Sequence, residues 1–123
     1  MEDLRGIHVL VVEDDDDSRE ALRLVMEYCG AFVMAAASAE EAKRRLRIFR
    51  PHVLVTDIGM PGDGLALFRE VKAMCSETGV RVPAIAITAY QRRRDELMDE
   101  GFVEVFEKPF DPMELCGAVR RHA

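Results

Sequence analysis

Short apolar runs alternate with longer segments of helical spacing along the chain. The runs are Ile7 to Val12, Phe32 to Ala36, Val53 to Thr56, Ala84 to Ile87 and Val103 to Phe106, each of strand length. Between them, Leu22, Val25, Met26 and Cys29 fall at i, i+3, i+4 and i+7, one face of a helix. Ala39, Ala42, Leu46 and Phe49 make a second such face, and Leu67, Val71, Met74 and Cys75 a third. Leu97 with Met98 gives a weaker fourth, and Leu115, Ala118 and Val119 a fifth. Ser38 followed by Glu41 reads as a capping box, each side chain satisfying a free backbone N–H. Asp111, Pro112 and Glu114 read as N-cap, first-turn proline and N3 acid. Gly30, Gly79 and Gly101 sit just past predicted helix ends.

The runs at 7–12, 53–56 and 84–87 are apolar without alternation, the mark of strands covered on both faces. Five βα units of this kind predict an α/β fold, a doubly wound (βα)5 three-layer sandwich with a parallel sheet. Fold-level analogy, not composition, supplies the flavodoxin-like strand order 2-1-3-4-5. The 123 residues suit a single domain spanning 1–123, and no linker, low-complexity tract or repeat interrupts them. Nearly half the residues are apolar and a third charged, a globular balance. No run is long enough for a membrane helix, and Met1 to Leu4 has no basic-then-apolar leader, so a cytoplasmic location is expected. A net charge of −6 argues against direct contact with nucleic acid. The local basic clusters, Arg44, Arg45 and Arg47, and Arg92 to Arg94, read as solvated helix faces. Cys29, Cys75 and Cys116 match neither a disulfide framework nor a metal spacing, and His8, His52 and His122 show no ligand or triad spacing.

In open parallel sheets ligands sit beyond the carboxyl ends of the strands, near the switch in strand order. Glu13 to Asp17 follow the first run, Asp57 the third, Thr88 the fourth and Lys108 the fifth. In the order 2-1-3-4-5 the first and third strands are neighbours, so Glu13, Asp14 and Asp57 converge. Packed carboxylates repel unless a cation intervenes, and an oxygen-only set suits Mg²⁺. A carboxylate can also act as nucleophile and form an acyl phosphate. The metal, the Lys108 ammonium and the Thr88 hydroxyl would then surround the phosphoryl oxygens. Asp15 to Asp17 read as a helix start favoured by the dipole.

At these residues the chain resembles the receiver domain of bacterial-type response regulators and hybrid histidine kinases. The likeness runs from about Ile7 to Arg120, through VLVVEDD at 9–15, VTDIGMPGDG at 55–64, AIAITAY at 84–90 and FEKPF at 106–110. It implies that Asp57 accepts the phosphoryl group and that Glu13 and Asp14 form the acidic pair at the metal. It implies that the Gly59 carbonyl is a metal ligand, that Thr88 reorients toward the phosphoryl group, and that Lys108, before a cis Pro109, pairs with it. The implied partners are a histidine kinase or histidine phosphotransfer protein, and an output domain on the face made by the fourth helix, fifth strand and fifth helix. Gly59 and Tyr90 stand where the family tunes phosphoryl lifetime, and the bulk of Tyr90 is expected to shield Asp57.

The chain departs from the family pattern in three places. Glu13 replaces a more common aspartate. The loop Pro61–Gly62–Asp63–Gly64 is one residue short. Val105 occupies the position of a frequent Tyr or Phe, with Phe106 expected on the other side of the sheet. Two alternatives stay open: a receiver fold that docks without phosphorylation, and a phosphatase of the haloacid-dehalogenase type. The latter needs a second acid two residues after its nucleophile, where this chain has Gly59.

Overall fold

A computed structural model describes residues 3–59, 64–89 and 94–123. Its strands are β1 (His8–Val12), β2 (Phe32–Ala36), β3 (Val53–Asp57), β4 (Ala84–Thr88) and β5 (Glu104–Glu107). Its helices are α1 (Asp16–Tyr28), α2 (Ala39–Leu46), α3 (Gly64–Thr78), α4 (Arg94–Glu100) and α5 (Pro112–His122). The strands form one parallel sheet in the order β2-β1-β3-β4-β5, the order that fold-level analogy supplied.

Because side chains alternate across a strand, the sheet feeds two cores. Leu10, Val12, Leu54, Ala84 and Ala86 pack with α2, α3 and α4 through Ala42, Leu67, Val71 and Leu97. Val9, Val11, Val53, Val55, Ile85 and Ile87 pack with α1 and α5 through Leu22, Met26, Leu115 and Val119. β3 and β4 are buried along their whole length, which explains their unbroken apolar spelling. The edge strands β2 and β5 are only partly covered. Met98, placed on the apolar face of α4 by spacing, is 43% exposed, so Leu97 alone anchors that helix face in the core.

The helix ends follow local chemistry. Ser38 Oγ accepts from Glu41 N–H at 3.1 Å, while the Glu41 carboxylate reaches back to Ala37 N–H, also at 3.1 Å. Asp111 accepts from Met113 N–H ahead of Pro112, and Asp15 caps α1 by accepting from Ser18 N–H. Gly30 and Gly101, at φ 105° and 122°, let the chain turn out of α1 and α4. The three cysteines are free thiols, Cys29 and Cys116 buried. No helix of the described residues is long and apolar enough to cross a membrane.

Candidate functional site

The carboxyl ends of β1, β3, β4 and β5 meet in an acidic pocket. Register brings them level: Val12 pairs with Thr56, Asp57 with Ile87, and Thr88 with Glu107. Glu13, Asp57, Thr88 and Lys108 therefore leave the sheet side by side. Asp57 is 5% exposed and Glu13 2% exposed. Asp14 is exposed at the rim. One oxygen each from Glu13, Asp14 and Asp57 lies within 4.8 Å of the others.

Two donors grip the central carboxylate. Lys108 Nζ donates to Asp57 Oδ2 at 3.0 Å, and Gly59 N–H donates to Oδ1 at 2.8 Å. Lys108 also stands 3.6 Å from Glu13 Oε2. The lysine's backbone is tied to β4: its N–H donates to the Thr88 carbonyl at 2.9 Å. The Lys108–Pro109 bond is cis. Thr88 itself is completely buried.

These contacts split the two buried acids electrostatically. Burial pushes Glu13 up to about 7, and the Asp57 carboxylate beside it adds to the rise. Burial also acts upward on Asp57. The neighbouring Glu13, Lys108 and the Gly59 N–H outweigh it and hold Asp57 below the usual carboxylate range. Burial disfavours the Lys108 charge, but the two acids raise the lysine overall. Asp57 is thus the member of the pair that ionises first as pH rises.

The pocket fits a hard divalent cation. Its donors are carboxylate oxygens, and Glu13 Oε2 is buried without a hydrogen bond. A cation beside these groups would balance a charge that Lys108 alone does not.

Sequence reasoning missed two supporting residues. Arg19, one turn into α1, donates to the carbonyls of Glu13 (3.0 Å) and Asp14 (3.4 Å), fixing the loop that presents both acids. Gly64 lies so close to β3 that an added Cβ would stand 2.5 Å from the Asp57 carbonyl oxygen. The Gly64 signal was present in the VTDIGMPGDG stretch; that of Arg19, a single arginine in an acidic segment, was not. Tyr90, Arg92, Arg93 and the short loop at 61–63 lie outside the described residues.

This fold and this acidic pocket define a signalling receiver. A model of the response regulator receiver domain matches residues 9–120, and the chain belongs to that family, whose members are signalling domains and not conventional enzymes. The chain is 39% identical over 125 residues to an uncharacterized 14.6 kDa protein of Leptolyngbya boryana, covering 99% of this chain and 94% of that protein. It is 34% identical to protein PetR of Rhodobacter capsulatus over 88% of this chain but 45% of PetR. Several other curated regulators are likewise matched over about half their length or less. Among solved structures, the response regulator TrrA of Thermotoga maritima, in complex with Mg²⁺ and BeF, superposes with a TM-score of 0.83 at 26% identity. That match covers 95% of this chain and 99% of TrrA.

Proposed function

We propose that this receiver takes a phosphoryl group onto Asp57 from the phosphohistidine of a histidine kinase or histidine phosphotransfer protein. The observation that carries this reading is the Asp57 carboxylate, buried between Lys108 Nζ at 3.0 Å and the Gly59 N–H at 2.8 Å. An Asp57 oxygen bonds to phosphorus as the P–N bond of the donor breaks, and the imidazole leaves with the electron pair of that bond. Lys108 offsets charge on the phosphoryl oxygens without leaving its anchored backbone. Glu13, Asp14, Asp57 and the Gly59 carbonyl would hold Mg²⁺, which supplies charge neutralisation and orients phosphoryl oxygens. Mg²⁺ in the TrrA complex supports that assignment. Thr88, at the end of β4, is the hydroxyl assigned to the phosphoryl group.

The readout is assigned to the face made by α4, β5 and α5. A groove of about 820 Å³ lies there, bordered by Arg94, Val105, Phe106, Phe110 and Arg121. Val105 is buried toward α4, while Phe106 turns to the opposite core and meets Phe110 at 5.6 Å between ring centres. The aromatic side chain of this strand therefore sits on the α5 side, and an output partner would read a face without an inward-swinging ring at position 105.

Incubation with acetyl phosphate and Mg²⁺, followed by intact mass, tests the reading. Wild type is expected to gain one phosphoryl group and Asp57→Asn none. An unchanged wild-type mass would leave a docking module. Sustained turnover of a phosphomonoester would favour the phosphatase, against which Gly59 stands where its second acid would be.

A further inference from the structure

At the opposite pole, where the strands begin, two shallow hollows of about 430 and 360 Å³ share a rim formed by His52 and Ala123. Arg5 and Arg120 line the first; Arg50, Arg81 and His122 line the second. Apart from the α-carboxylate of Ala123 on the shared rim, no acidic group lines either hollow, although the chain carries a net charge of −6. Arg5 is committed to Asp3 at 2.6 Å, and His122 lies 3.3 Å from Glu104. Arg50 and Arg81 differ: both are exposed and neither forms an ion pair with a described residue, while Arg50 donates one N–H to Met74 Sδ at 3.0 Å and keeps the rest of its fork.

His52 lines both hollows. Its Nδ1 accepts from His8 N–H at 2.9 Å, so the neutral ring carries its proton on Nε2 and is a donor there. Complementing helix dipoles accounts for part of this cluster. Arg120 and His122 lie in the last turn of α5. Arg5 and His52 lie outside the helices, and Arg50 and Arg81 follow the C-terminal ends of α2 and α3 by about a turn. Next to the hollows, His8 stacks on Phe49 at 5.7 Å and 10°, and Phe32, 56% exposed, tilts against both.

We propose that these paired hollows bind a small polyphosphorylated anion, held chiefly by Arg50, Arg81 and His52. Arginine forks suit phosphate oxygens bidentately, and the volumes suit a small ligand rather than a nucleic acid. The two sources of this chemistry are an inorganic polyphosphate and a nucleoside polyphosphate, whose base would find the His8–Phe32–Phe49 surface.

Calorimetric titration of the whole chain with tripolyphosphate and with ATP tests this, in EDTA so that the acidic pocket does not recruit a metal–nucleotide. Saturable binding is expected, weakened about tenfold or more by Arg50→Glu with Arg81→Glu. The milder Arg50→Gln with Arg81→Gln should weaken it less. Equal affinity for both ligands identifies the phosphate chain as what is read, and tighter ATP binding adds the aromatic surface. Asp57→Asn should bind as wild type does, and the arginine variants should still take a phosphoryl group from acetyl phosphate, which separates this site from the phosphoacceptor. Absence of saturable binding, or unchanged affinity in the charge-reversed variant, would overturn the proposal.

Discussion

Glu13 puts a larger acid where the family more often has aspartate, and burial gives that acid a measurable signature. Its carboxyl titrates near 4.5 in the unfolded chain and about 7 in the fold. Between those values the folded state binds more protons than the unfolded one, so stability falls as pH rises through this window and levels off above it. In chelator, Glu13→Gln should match wild type near pH 5 and exceed it near pH 8, by on the order of 2 kcal/mol. Circular dichroism melts check this, because the chain has no Trp to report by fluorescence. A variant equal to wild type at both pH values would contradict it. Gly64 makes a second residue-scale case. Its Cβ position, 2.5 Å from the Asp57 carbonyl oxygen, has no room unless β3 or α3 shifts. Gly64→Ala should cost roughly 1–3 kcal/mol and slow phosphoryl uptake by displacing the Asp57 backbone. Denaturant melts and timed intact-mass measurements report the two effects separately.

Among elements, β5 is one of the two edge strands, and α4 holds it by a clasp. Arg94, the first residue of α4, donates from Nη2 to the Val105 carbonyl at 2.9 Å, with Glu107 3.8 Å from its Nε. A long, half-covered arginine thus occupies the open side of the strand at the residue where an aromatic would otherwise mark switching. Arg94→Ala should destabilise the fold by no more than about 1 kcal/mol. It should nevertheless raise amide exchange selectively in β5 and α4, which hydrogen-exchange mass spectrometry can localise. Uniform exchange across the chain would argue that the clasp carries no local role. The Ser38–Glu41 box and the Asp111–Pro112 start of α5 were legible from sequence because capping is local, spanning only three or four residues. Arg94 was not, because its partner carbonyl lies 11 residues away.

The described residues are electrically polar, with carboxylates at the carboxyl ends of the strands and arginines at their amino ends. Two cores share one sheet, so neither helical layer can detach without exposing β1, β3 and β4. Heating should therefore give one cooperative transition in which calorimetric and van't Hoff enthalpies agree. Mg²⁺ should raise its midpoint at pH 8 more than at pH 5, since a metal held by the native carboxylate cluster would have to displace the Glu13 proton at low pH. Two separated transitions would contradict the shared sheet, and a pH-independent Mg²⁺ effect would contradict the pocket.

Local pattern settled which segments become strands and helices, because periodicity and capping act over a few residues. It also settled that acids, a hydroxyl and an ammonium follow successive strands; the order 2-1-3-4-5 that joins them came from analogy. Tertiary structure decided what depends on distant groups meeting. It set the division of charge between Glu13 and Asp57, which burial and Lys108, 51 residues from Asp57, impose together. It set the close approach of Gly64 to β3. It also joined His8 to His52, 44 residues apart, in an arginine-lined hollow that no linear spacing announces.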